Sequence, residues 1–154
     1  MRLSEKFKYD PFATPVGKFK DVTATFTGKI IEMTEEQLNA LKDGEFDETS
    51  IIFNVDGEEY PLKLRNARKH ESDVTGEITY EDYSFVINFI NGMIQVANLS
   101  GKQCKSLDTA IKSLTGKEFT IRVTKTEKDA PNYKVVDPNS EKATANGKST
   151  YTAY

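Results

Sequence analysis

Residues 60–70 carry four cations, Lys63, Arg65, Arg68 and Lys69, and no acid. Arg122 and Lys125 form a second basic group, and Lys18 and Lys20 a third. Flat side chains stand close by in sequence: Tyr60 and Tyr80 flank the first group, Tyr133 follows the second, and Phe19 lies inside the third. Cations spaced along a groove neutralise successive phosphates, and aromatic faces stack unpaired bases at about 1–3 kcal/mol each. Those two residue types together have the chemistry of a single-stranded nucleic-acid surface. Tyr60 and Tyr133 also alternate with apolar neighbours, which equally fits a core lining, while Phe26, Phe53 and Phe119 stand in core register. Runs of charge are also commonly plain solvated faces.

Other chemistries lack their parts. The single cysteine, Cys104, cannot form an internal disulfide or half of a CxxC metal site. Lys102 and Lys105 could lower its pKa, yet the only histidine, His70, is far away in sequence and stands beside Arg68-Lys69 in a loop-like stretch. Zinc and thiol catalysis are therefore not expected. The acids near residues 43–48 and 56–59 do not follow the spacing of a calcium-binding loop, and there is no phosphate-binding glycine motif. The expectation is a non-enzymatic chain with no cofactor and no metal.

The formal charge of −3 conceals a segregated pattern. Residues 32–59 hold ten acids against one base, Lys42. Residues 1–20, 60–70 and 99–128 each carry a net positive charge. A basic groove beside an acidic lobe is one consequence of such an order.

Periodicity indicates the elements that must position these groups. In residues 16–32, Val22, Ala24 and Phe26 alternate with Thr23, Thr25 and Thr27, which predicts a long half-buried strand. Gly28 inside it predicts a bulge or sharp bend. Thr34 and Gln37 have capping-box spacing, and Leu38, Leu41 and Gly44 complete a short acidic helix. Residues 49–66 predict a hairpin, with Ile51, Phe53 and Val55 going out, Asp56-Gly57 turning, and Tyr60, Leu62 and Leu64 returning. Lys63 and Arg65 then share the face opposite Leu62 and Leu64. Pro61 prefers an edge or a non-donating position in that strand. Residues 67–82 read as a polar loop, with room for a short strand at Glu77–Tyr80.

Residues 82–99 support two readings. Asn91-Gly92 between apolar runs is a hairpin signal. At helical period, however, Asn88, Asn91, Gly92, Gln95 and Asn98 gather on one side and Val86, Ile90, Met93 and Ala97 on the other. A helix is preferred, because a hairpin would mix Asn88 with Val86 and Ile90. Asp82 or Ser84 could cap its start and Ser100-Gly101 could end it. Ser106-Leu107-Asp108 opens a second helix, with Leu107, Ala110, Ile111 and Leu114 apolar. Residues 117–126 alternate as a strand, Lys128–Asn132 is a turn, and Tyr133–Val136 is a closing strand.

This order predicts a β-rich α+β domain, an OB-fold-like five-stranded barrel with a helical connection before the last two strands. The domain is expected over residues 16–136, with an extended N-terminal arm at 1–15 and a flexible C-terminal tail at 137–154. In such barrels the ligand groove crosses the second and third strands.

The segment Leu99–Val136 carries "LTGKEFTIRV" after an amphipathic helix and before a tyrosine-bearing strand. It resembles the end of small phage-encoded OB-fold proteins that bind single-stranded DNA. The resemblance covers about a quarter of the chain. It implies sequence-independent single-stranded DNA binding in DNA replication or recombination. For that role the residues themselves offer Lys18, Lys20, Tyr60, Lys63, Arg65, Arg68, Lys69, Arg122, Lys125 and Tyr133 as candidate contacts. Replication or recombination proteins and a second copy of the chain are further expected partners. Many such proteins end in an acidic tail, whereas Asp137 and Glu141 here are balanced by Lys142 and Lys148, so a partner-recruiting tail is not carried over. The other expectation is a protein-interaction or virion structural module without nucleic-acid binding. No apolar run approaches the about 18 residues of a membrane span, and Met1–Lys8 lacks an apolar signal core. The expected location is therefore cytoplasmic, in the host cell if the protein is viral.

Overall fold

A computed structural model describes residues 2–126, 131–137 and 152–154. After one helical turn, α1 (Leu3–Lys6), the chain runs through β1 (Lys18–Ile31), α2 (Glu35–Asn39), β2 (Phe46–Val55), β3 (Glu58–Glu71) and β4 (Ile78–Asp82). Two helices follow, α3 (Phe85–Ala97) and α4 (Leu107–Leu114), and then β5 (Glu118–Lys125), β6 (Pro131–Val136) and the short β7 (Thr152–Ala153). The strands form one curled sheet in the order β4-β3-β2-β1-β5-β6, antiparallel along that path, with β7 parallel to β1. The fold class is β-rich α+β, and the helical connection stands before β5 and β6 as expected.

The expected five strands become six along the main path. β3 runs on to Glu71, well beyond the hairpin that alternation marks out, and its far end takes β4 as a partner from Ala67↔Asp82 to Glu71↔Ile78. The polar composition of residues 67–82 hid this extension, because β4 is exposed along its whole length and so has no apolar alternation. No ladder joins β3 to β6 among the described residues. Instead α3 packs against both and fills the hollow of the half-barrel.

Several local readings hold in detail. Thr34 and Gln37 form the reciprocal capping box of α2, and Ser106 and Thr109 do the same for α4. Asp56 and Gly57 both have positive φ, 53° and 88°, as a type I′ turn demands. At Gly28, φ is +86°, and β1 advances from Phe26 to Ile30 while β2 advances only from Phe53 to Ile51. The helix is the correct reading of residues 82–99: α3 buries Val86, Phe89, Ile90 and Met93. Gly92, half of the hairpin signal, lies against Val135 of β6, so a small residue serves helix packing here. Asn98 ends α3 in a left-handed conformation, earlier than Ser100-Gly101.

Phe26, Phe53, Ile51, Leu62, Met93, Leu114, Ile121 and Val123 are fully buried at the centre of the core. Burying a side chain of this size contributes on the order of 1.5–3 kcal/mol. The core also reaches into the expected arm, because Phe12 is 3% exposed and meets Tyr133 edge to face at 6.2 Å. The turn expected at Lys128–Asn132 and the tail expected from 137 lie mostly outside the described residues. No helix among the described residues is long and apolar enough to cross a membrane.

Candidate nucleic-acid interface

The face of β2 and β3 turned away from the core collects the first basic group. Leu62 and Leu64 point inward and are buried, so Lys63 and Arg65 point outward and are exposed. Arg65 and Arg68 are three residues apart and would lie on opposite faces of a regular strand. The ladder breaks its register between them. Glu48 of β2 faces Arg65, and the next residue, Asp47, faces Ala67, which leaves Asn66 as an extra residue on β3. This bulge returns Arg68 to the outer face beside Arg65.

Both guanidinium groups meet one ring. The Arg65 guanidinium carbon is 4.2 Å from the centre of the Phe46 ring, and that of Arg68 is 5.6 Å away. Phe46 continues into an aromatic row: its ring is 6.2 Å from Tyr83, and Tyr83 stacks on Phe85 at 5.3 Å with an interplanar angle of 18°. Phe85 is 46% exposed. Lys63, Arg65 and Arg68 make no ion pair among the described residues. The acids closest in register are Glu48, opposite Arg65, and Glu81, opposite Arg68; Glu81 already holds His70 at 3.0 Å.

The loop after α2 borders this cluster. Gly44 donates to the Lys69 carbonyl at 2.7 Å, Lys69 donates to the Glu45 carbonyl at 2.9 Å, and Glu71 donates to Asp43 Oδ1 at 2.9 Å. Of the acidic stretch, Asp43 and Glu45 thus fasten this loop, Glu45 also accepting from the Lys42 N–H through its carboxylate. Gly44 has φ of +84°, and a Cβ there would stand 3.4 Å from the Arg68 guanidinium, which lies across it.

The remaining expected contacts are placed differently. Lys69 points inward and is 4% exposed, and its Nζ donates to the Leu41 carbonyl at 2.7 Å. Its charge closes the α2 loop and does not join the outer track. Tyr60 faces Phe53, packs partly on the core, and donates its hydroxyl to Glu58 at 3.0 Å. Tyr133 likewise packs on the core beside Phe12. Arg122 is bound by both oxygens of Asp21, at 2.8 and 2.9 Å, and covers the Phe19 ring at 4.3 Å. Lys18 and Lys20 start β1, and Lys125 ends β5. By register this second group lies beyond the Thr25↔Asn54 pair, at the end of the sheet opposite Phe46 and Arg68. The ten residues do not form one track. The structure gathers Lys63, Arg65 and Arg68, and it adds Phe46, Tyr83 and Phe85, which alternation did not single out.

Comparison with family models, with curated proteins and with solved structures finds no match to this chain.

The cluster offers two services side by side. Its guanidinium groups give charge and hydrogen-bond donors for phosphate oxygens. Its rings give apolar faces for a planar ligand. Both guanidinium groups lie within cation–π range of Phe46, a contact worth about 0.5–1 kcal/mol at exposed sites. The signal that could have found Phe46 is its setting: a lone aromatic between Glu45 and Asp47, with no apolar alternation to explain it.

Proposed function

We propose that this chain is a non-enzymatic, sequence-independent single-stranded DNA-binding protein with an OB-fold-like barrel, of the kind phages use in replication or recombination. The observation that carries this reading is the placement of Arg65 and Arg68 against the single Phe46 ring, continued by Tyr83 and Phe85. Phosphates meet the cations while unpaired bases meet the rings. The OB-like assignment is supported by β1, whose C-terminal half pairs with β2 and whose N-terminal half pairs with β5, and by the helical connection before β5. The cluster lies on the second and third strands, where such barrels hold single strands.

Fluorescence anisotropy with labelled oligo-dT, mixed-sequence single strands and a duplex tests the reading. The single strands should bind alike and more tightly than the duplex. For three neutralised phosphates, log K should fall against log salt with a slope of about −2. Lys63→Ala with Arg65→Ala should weaken every sequence about equally and make that slope shallower by about 1–1.5. Absence of oligo-dT binding at low salt, with a folded chain, sinks the proposal and favours the protein-interaction module. Retained binding in the double variant removes the β3 face from it.

A further inference from the structure

We propose that the cavity between residues 10–15 and the β5–β6 hairpin is a pocket for a single unpaired nucleobase, with the phosphate of the same nucleotide held by Lys20. The cavity has a volume of about 310 Å³ and is lined chiefly by Asp10, Phe12, Thr14, Lys125, Tyr133 and Tyr154. That is the small end of the about 300–1,000 Å³ usual for small-molecule sites, which suits one ring system with its sugar. Strand register sets out its walls. Lys20 pairs with Val123, and Val123 with Tyr133, so these three side chains stand in one row on the inner face of the sheet. The pairs Lys18↔Thr152 and Phe19↔Ala153 bring Tyr154 into that row beside Lys20, and the Lys20 ammonium stands 5.8 Å from the centre of its ring. The two tyrosines are thus three strand spacings apart, about 14 Å at the backbone. Val123 lies buried between them, and Phe12 meets Tyr133 edge to face.

The polar groups divide between the two sides. On the β6 side, the Tyr133 hydroxyl has no hydrogen-bond partner among the described residues. Burial, and then the charge of Asp10, push its pKa up to about 12, so it remains a donor at neutral pH. Asp10 accepts from the Phe12 N–H through Oδ1 at 2.9 Å, which leaves Oδ2 as an acceptor on the same side. On the β1 side, Lys20 makes no ion pair among the described residues. A nucleotide is polar in the same way, with a base edge of donors and acceptors at one end and a phosphate at the other. Pockets for single bases combine such edge contacts with aromatic and apolar walls. Each of the four bases offers both an acceptor and an N–H donor, so the pocket takes bases as a class. A pure hydrocarbon would strand the Tyr133 hydroxyl, and an acidic ring would meet Asp10. This cavity lies at the end of the sheet opposite the Phe46 cluster, and its occupancy requires nothing of that cluster.

Amide NMR spectra of the full-length chain, titrated with thymidine monophosphate, test the assignment. The nucleotide should shift the signals of Phe12, Ala13 and Tyr133 saturably at millimolar concentration. Tyr133→Phe should weaken it about two- to tenfold, the worth of one hydrogen bond. Lys20→Ala should weaken it about two- to fivefold and leave thymidine, which has no phosphate, unchanged. Arg65→Ala should change neither. A folded chain that shows no saturable shift overturns the proposal. So do shifts confined to Phe46, Arg65 and Tyr83, or binding that Tyr133→Phe leaves untouched. Oligo-dT then separates the two sources of a base. Displacement of the nucleotide from these signals assigns the pocket to a base within a strand, whereas oligo-dT bound with the nucleotide still in place assigns it to free nucleotide. Oligo-dT binding that Arg65→Ala weakens, in a chain whose cavity stays silent, keeps the Phe46 cluster and overturns the pocket alone.

Discussion

Arg68 and Lys69 are adjacent cations with opposite environments. Arg68 is exposed over Phe46, whereas Lys69 is buried with its ammonium donating to the Leu41 carbonyl and, at 3.5 Å, to that of Asn39. A buried hydrogen bond to a charged donor is worth about 1.5–3 kcal/mol, and removing the donor leaves both carbonyls without it. Lys69→Met should therefore lower stability by about 1–3 kcal/mol, read from urea midpoints, and, under the proposed function, leave affinity for single-stranded DNA within about twofold under conditions where the chain is folded. A large loss of affinity with unchanged stability would place Lys69 in the interface after all. Composition marked the two residues as one basic run, because a sequence shows charge without showing which strand face carries it.

At the scale of elements, two departures from regular strand geometry shape the molecule. Asn66 sets Arg68 beside Arg65. Gly28 lets β1 bend while β2 stays paired to it on both sides of the bend and β5 pairs with it only before the bend. A Cβ at Gly28 would stand 2.5 Å from Thr115 Oγ1, a hydroxyl already donating to the Ile111 carbonyl at 2.7 Å, and would be held at φ of +86°. Strain of this kind costs on the order of 1–3 kcal/mol before the clash is counted. Gly28→Ala should therefore lower the melting temperature by several degrees, and Thr115→Ala should recover only part of the loss, since the backbone strain stays. Full recovery would make the clash the whole effect. The glycine and its bend were readable from the broken alternation. The Asn66 bulge was not, because no glycine or proline marks it and the outward side chains around it are all polar.

For the whole molecule, the docking of residues 10–15 onto the β5–β6 hairpin is a packing event with a pH signature. Tyr133 packs against the core edge to face with Phe12, and its pKa is pushed up to about 12 by burial and then by the charge of Asp10, from 10.0. The unfolded chain releases this proton first as pH rises. The stability contributed by the neutral phenol is thus complete below about pH 10 and falls as pH rises through about 12. Urea midpoints at pH 9 and 11.5 should drop more for the native chain than for Tyr133→Phe, which has no proton to lose. Equal drops would show that the alkaline loss does not come from Tyr133.

The sequence by itself determined α2 and α4, the hairpin turn, the core places of Phe26, Phe53 and Phe119, and the preference of residues 82–99 for a helix. Each of these is set by period, capping or turn chemistry within a few residues of chain. Only the tertiary structure decided that β3 extends to meet β4, that Phe12 belongs to the core, and that the expected cations divide between two ends of the sheet. Those outcomes depend on strand register and on which elements cover which face, and both are fixed by contacts between residues distant in sequence. The cluster of Lys63, Arg65 and Arg68 with Phe46, Tyr83 and Phe85 is of this second kind: its charges were visible along the chain, and its rings came to them through folding.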